Sequence, residues 1–141
     1  MKKIDQQLLA LLRDNARRST SDLARELGLS RSTVQGKINR LEQTGVIRGY
    51  SVVLGEDFAK GRVTAHVLIK VAQKLTARTT RELRAMPQTR SLYSISGDYD
   101  LIAMVEAEST ESLSAVLDSI ANLDGVERTN SSVILETKFS R

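Results

Sequence analysis

The stretch Ser19-Thr20-Ser21-Asp22-Leu23-Ala24-Arg25-Glu26-Leu27-Gly28-Leu29-Ser30-Arg31-Ser32-Thr33-Val34-Gln35-Gly36-Lys37-Ile38-Asn39-Arg40-Leu41-Glu42-Gln43-Thr44-Gly45 decides the architecture of the amino-terminal part of the chain. Ser19 is a helix-capping residue, Asp22 three positions on completes a capping-box-like pair, and Leu23, Ala24 and Leu27 fall on one helical face. Gly28 stops that helix, because a residue without Cβ tolerates positive φ. Ser30 caps the next helix, whose apolar positions Val34, Ile38 and Leu41 are spaced by four and three before Gly45 ends it. Two short helices meet at a glycine turn, with the small Ala24 where they must cross closely: the layout of a helix-turn-helix. Upstream, Ile4, Leu8, Leu11 and Leu12 form the stripe of an earlier amphipathic helix ending near Asn15, so three helices fill residues 1–50.

Downstream the period changes to two. Val46, Arg48 and Tyr50 alternate with Ile47 and Gly49 and run through Ser51-Val52-Val53-Leu54 into the loop signal Gly55-Glu56-Asp57. This predicts a linking strand and a hinge over 51–61. Residues 62–141 then read as strand 62–72, helix 76–86 stopped by Pro87, strands 90–96 and 101–107, helix 110–122 and a last strand 127–139. That βαββαβ order is ferredoxin-like: two helices on one face of a four-stranded antiparallel sheet, and an α+β chain overall. In the first strand Val63, Ala65, Val67, Ile69 and Val71 share one face, while Thr64, His66 and Leu68 point the other way. In the third, Leu101, Ala103 and Val105 oppose Ile102 and Met104. Neither face is simply polar, so the face without helices is expected to meet a second subunit.

Composition narrows the chemistry. The chain has 141 residues, no Cys and one His, which excludes a disulfide framework, a thiolate nucleophile and an iron–sulfur cluster, and leaves no second imidazole for a histidine-paired metal site. No metal and no cofactor is expected. No apolar run approaches the roughly 20 residues of a membrane span, so a cytoplasmic chain is expected. Residues 1–60 hold 11 Lys/Arg against 7 Asp/Glu and residues 61–141 hold 10 of each, so the formal charge of +4 lies wholly in the helical part. A basic module joined to a neutral one fits double-stranded DNA as a partner, although an excess of four is also ordinary surface chemistry.

With Val34, Ile38 and Leu41 turned inward, Arg31, Ser32, Thr33, Gln35, Lys37 and Arg40 are left for groove and backbone. The cations suit phosphates or guanine edges, and Gln35 suits a bidentate contact with adenine. The alternative is a plain three-helix core. Gly97-Asp98-Tyr99-Asp100 joins two strands and is a turn composition, sufficient for a hairpin with no ligand. Thr129 and Ser131 share a strand face, as hydroxyl contacts for a ligand or as cross-strand partners. His66, in an apolar strand, reads as an interface residue rather than a catalytic one. Tyr50 and Tyr93 are expected to pack their rings while the hydroxyls find partners.

The chain resembles the Lrp/AsnC, or feast/famine, regulators. The amino-terminal likeness is carried by Ile4-Asp5 to Leu12, Leu23-Ala24, Leu27-Gly28-Leu29-Ser30, Val34, and Ile38-Asn39-Arg40-Leu41-Glu42 to Gly45-Val46-Ile47. At the carboxyl end it is carried by Gly97-Asp98-Tyr99-Asp100 and Gly125-Val126-Glu127-Arg128-Thr129. The resemblance spans essentially the whole chain. It implies a winged-helix-like DNA-binding domain, and a ferredoxin-like domain that dimerises sheet to sheet, assembles further to an octamer and binds an amino-acid effector between dimers. It also implies that the Gly97-Asp98-Tyr99-Asp100 loop holds the effector's charged groups, exposed amides taking the carboxylate and Asp98 or Asp100 the ammonium. Two departures fall in the recognition helix, where Gly36 weakens the helix and Lys37 stands where Arg is common. Two rivals keep the same layout without regulation at DNA: a sirohaem-decarboxylase-like enzyme and a DNA-independent amino-acid-sensing subunit.

Overall fold

The computed structural model describes residues 1–55, 58 and 61–140, and divides the chain into two compact units, Met1–Val53 and Leu54–Arg141. The first unit holds α1 (Lys3–Asp14), α2 (Thr20–Leu27) and α3 (Arg31–Gln43). The local signals of the sequence set their ends. Ser19 Oγ accepts the N–H of Asp22 at 3.1 Å and Ser30 Oγ that of Thr33 at 3.2 Å, each satisfying one of the orphan donors of a first turn. Gly28 has φ +65°, and the bonds Leu29 N–H to Ala24 C=O and Gly28 N–H to Arg25 C=O make a Schellman turn. Buried Leu8, Leu12, Leu23, Ala24, Val34 and Leu41 form the core of this unit, with Ile38 and Ile47 packed against it.

The expected linking strand is not formed. Residues 46–55 pair with no strand, and Val52 and Val53 are among the most exposed side chains of the chain. Alternation marks a surface suited to a strand, but a ladder needs a partner, and no strand among the described residues pairs with this segment. The stretch of the hinge at Glu56, Asp57, Ala59 and Lys60 lies outside the described residues.

The second unit contains β1 (Val63–Val71), a 3₁₀ turn (Gln73–Leu75), α4 (Thr76–Ala85), β2 (Thr89–Ser94), β3 (Leu101–Ala107), α5 (Thr110–Ala121) and β4 (Val126–Val133). The strands lie in the order β2-β3-β1-β4, all neighbours antiparallel. This is the expected βαββαβ layout. Ala65, Val67, Ile69 and Val71 of β1 and Leu101, Ala103, Val105 and Ala107 of β3 are buried together with Leu83 of α4 and Leu113 and Ile120 of α5.

The last strand is shorter than expected. It stops at Val133, paired with Ala65, and beyond that pair a single further bond, from Ile134 N–H to Thr64 C=O, ties it to β1. The strand-like pattern of 134–139 therefore continues without a ladder, and Leu135 is 94% exposed. On the face without helices, His66 stands opposite Met104 and Ser132, Leu68 opposite Ile102 and Asn130, and Tyr93 opposite Ile102. Leu68, Ile102 and Met104 are half-buried, and His66 and Tyr93 exposed.

Candidate nucleic-acid interface and effector loop

Along α3, Arg31, Ser32, Thr33, Gln35 and Arg40 are exposed. The hydroxyls at its start form a cluster, with Ser30 Oγ 2.7 Å from Thr33 Oγ1 and 3.2 Å from Ser32 Oγ. Gln35 Nε2 donates to Asn39 Oδ1 at 2.8 Å, and Thr20 Oγ1 lies 3.4 Å from Gln35 Oε1. The amide is thus pre-oriented across the junction of α2 and α3. Asn39 belongs with Gln35, and its spacing of four was a legible sign that sequence reasoning passed over.

Lys37 is placed differently from the other five. Its Nζ donates to Asp5 Oδ1 of α1 at 2.7 Å, with only 21% of the lysine side chain and 14% of the aspartate exposed. The Lys37 hydrogen bond holds the Asp5 carboxyl below the ordinary carboxylate range against the opposing effect of burial, and the charges of Lys37, Arg40 and Lys2 add to it. Lys37 therefore joins two helices instead of standing free over a groove.

The loop between β2 and β3 is anchored to β1 at three points. Asp100 N–H donates to Ile69 C=O, Asp100 Oδ2 accepts Val71 N–H at 2.9 Å, and Lys70 Nζ lies 3.7 Å from the same carboxylate oxygen. Gly97 holds φ +112°, a conformation L side chains rarely adopt. Asp98 is exposed, and the half-buried Tyr99 ring carries the Arg128 guanidinium 5.0 Å above its centroid. Thr129 and Ser131 share a face, but opposite Ile69 and Val67 they lie on the helix-side face of β4, whereas Arg128 opposite Lys70 lies on the other. The structure thus gathers Tyr99, Asp100, Lys70 and Arg128, and sets the two hydroxyl residues on the other side of the edge strand. Among the described residues no cluster of three or more metal-ligating side chains occurs, and no helix is long and apolar enough to cross a membrane.

Residues 64–141 match the family model of the Lrp/AsnC ligand binding domain, more than half of the chain. The chain belongs to the Lrp/AsnC family. Residues 1–48 match the model of a winged helix-turn-helix DNA-binding domain, so this Lrp/AsnC protein is a DNA-binding transcriptional regulator with a ligand-binding domain. It is 31% identical over 133 residues to an HTH-type transcriptional regulator of Pyrococcus furiosus, spanning 94% of this chain and 90% of that one. To the regulator FL11 of Pyrococcus horikoshii it is 25% identical over 135 residues, 96% and 89% of the two chains. Among solved structures, the feast or famine regulatory protein of M. tuberculosis complexed with L-methionine is similar at 31% identity and TM-score 0.87, covering 99% of this chain and 95% of that one. Escherichia coli AsnC, at 22% identity and TM-score 0.89 over 100% and 96% of the chains, shares the fold.

Proposed function

We propose that this Lrp/AsnC regulator is cytoplasmic, reads double-stranded DNA through α3, and is controlled by an amino acid held at the loop 97–100. Catalysis forms no part of this function. The observation that carries the effector reading is the L-methionine complex of the M. tuberculosis relative, which is 31% identical across nearly the whole chain. The loop supplies chemistry suited to such a ligand. Gly97 at φ +112° can turn neighbouring amides outward to a carboxylate, and Asp98 offers an exposed carboxylate to an ammonium group. Asp100, engaged with Val71 and Lys70, positions the loop instead of receiving the ligand. Thr129 and Ser131 add hydroxyls where the ligand overhangs the β4 edge.

Arg31, Ser32, Thr33, Gln35 and Arg40 make the DNA contacts in this reading, with Lys37 holding α3 to α1. Two copies join through the face bearing Leu68, Ile102 and Met104, and dimers assemble into an octamer around the effector. Effector binding then favours one spacing of recognition helices, and operator affinity changes by the same coupling free energy. Thermal-shift screening of the twenty amino acids tests the effector, since a specific ligand stabilises the folded chain by mass action. One or a few amino acids should raise the melting temperature. A flat response across all twenty would overturn the amino-acid reading. Light scattering at micromolar concentration should give at least a dimer, and a monomer would overturn the sheet-to-sheet assembly.

A further inference from the structure

The flank of α3 turned toward α1 forms one wall of a cleft of about 560 Å³, and the start of α1 forms the opposite wall. Lys2, the residue preceding α1, and Asp5 in its first turn face Lys37, Arg40 and Thr44, which recur at i, i+3 and i+7 along α3 and its cap. Three cations meet one carboxylate in this cleft. Asp5 is committed to Lys37 at 2.7 Å, whereas Lys2 and Arg40 form no ion pair among the described residues. Lys2 and Arg40 both line this cleft, and the charge of each adds to the lowering of the Asp5 carboxyl.

Such an arrangement has a definite ligand chemistry. Two unpaired cations, one on the residue that caps α1 and one on α3, with the two helices pinned to each other by a part-buried ion pair, form a concave positive site. A singly charged phosphodiester fits it, with Arg40 offering a planar donor fork and Lys2 a point charge. Arg40 also lies one turn beyond Gly36 and so flanks the row that carries Gln35, which puts the cleft beside whatever backbone borders the groove that Gln35 enters.

We propose that Lys2 and Arg40, with their separation fixed by the Asp5–Lys37 pair, form a seat for one phosphodiester of the DNA backbone on the α1 side of the recognition helix. The seat rests on the reading that α3 enters the major groove. It sets the register of the helix on the duplex and carries no sequence information of its own. Lys37 and Asp5 are positioning residues here: neither touches the phosphate, and both hold the distance between the two that do.

The test measures the affinity of the full chain for short duplexes of random sequence as salt is varied. The slope of log affinity against log salt falls by about 0.9 for each phosphate that is no longer neutralised. Lys2→Ala and Arg40→Gln should each weaken binding alike for all sequences. Because both act on one phosphate, the double variant should lose about one unit of slope in total. Arg84→Gln, on the exposed face of α4, changes the net charge equally and should leave the slope as it is.

A loss of about two units in the double variant means that two separate phosphates are held and overturns the single seat. An unchanged slope in the double variant, with the unaltered protein binding duplex normally, also overturns the seat while leaving α3 in the groove. Failure of the unaltered protein to bind duplex at any salt overturns the α3 reading and the seat with it. Inorganic phosphate alone is the remaining probe. A thermal shift with phosphate that the double variant loses, beside an unchanged duplex slope, reassigns the cleft to a free phosphate ligand and overturns the seat.

Discussion

Asp100 accepts the backbone N–H of Val71 at 2.9 Å, and this bond is the one by which its side chain ties the loop 95–100 to the backbone at the end of the central strand β1. Asp98, two residues earlier, makes no hydrogen bond or ion pair among the described residues. The two carboxylates should therefore separate cleanly by substitution. Asp100→Ala leaves Val71 N–H without its acceptor and should cost about 1–2 kcal/mol in urea unfolding, toward the low end because the aspartate is partly exposed. Asp98→Ala should leave that stability unchanged and abolish the thermal shift given by the best amino acid. If the ligand response follows Asp100 and ignores Asp98, the roles assigned to the two are reversed.

Gly97 sets the shape of the same loop. At φ +112° with nothing within 4 Å of an added Cβ, the obstacle to a side chain is the backbone and not the surroundings. Gly97→Ala should cost about 1–3 kcal/mol and remove the ligand-induced shift while leaving duplex affinity of the free protein intact. Calorimetry with and without the amino acid reads both, and an undiminished ligand affinity would remove the loop from the effector site.

Gly125 faces the opposite constraint. A Cβ there would stand 2.1 Å from Thr79 Oγ1 and 3.0 Å from Leu75 Cβ, at the point where Gly125 C=O also accepts Ala72 N–H. Gly125→Ala should destabilise by about 1–3 kcal/mol through overpacking. Thr79→Ala removes the nearer atom, so the double variant should recover part of that loss beyond additivity. Strict additivity of the two melting shifts would show that the clash is relieved elsewhere.

Gly36 sits in the interior of α3, exposed, with no atom within 4 Å of an added Cβ. Gly36→Ala should stabilise the protein by about 0.5–1 kcal/mol, since helical alanine loses less backbone entropy on folding. Gln35→Ala should relax the preference at one operator position by about 1–3 kcal/mol, leaving the others as they were. A loss spread evenly over all positions would make Gln35 a backbone contact.

Glu106 bridges Arg62 and Arg90 at the far end of the sheet. Its carboxyl is held below the ordinary range, first by the Arg62 hydrogen bond, against burial, and then by Arg90. A depressed folded-state value stabilises the fold above the unfolded-state carboxylate pKa, and the contribution disappears as the pH falls through the folded-state value. The stability gap between the native protein and Glu106→Gln should thus be present at neutral pH and close below about pH 4. A gap independent of pH would mean that the bridge contributes through shape and not charge.

The helices of the first unit were legible because their signals are local. Ser19, Ser30 and Gly28 act on backbone groups a few residues away, and the alternation in 63–71 needs only a core to turn toward. What the sequence concealed depended on partners distant along the chain. The alternation of 46–54 promised a strand that no described neighbour completes, and that of 134–139 continues past the last residue of β4 that pairs with β1. Lys37 looked like a free cation until Asp5, 32 residues away, was brought against it. The pairing of Thr129 and Ser131 on one face followed from the period of two. That this face is the one turned toward the helices followed only from the register with the buried residues of β1.

The exposed segment 51–55 has an evolutionary consequence. It belongs to neither hydrophobic core, and no residue is shared between the core around Leu8 and Val34 and the one around Ala65 and Ile120. A genetic crossover within these codons falls inside neither of these two cores, so a helical half and a sheet half from different ancestors would each bring its own core whole. The DNA-binding half and the ligand-binding half of this chain are, in that sense, separately inheritable.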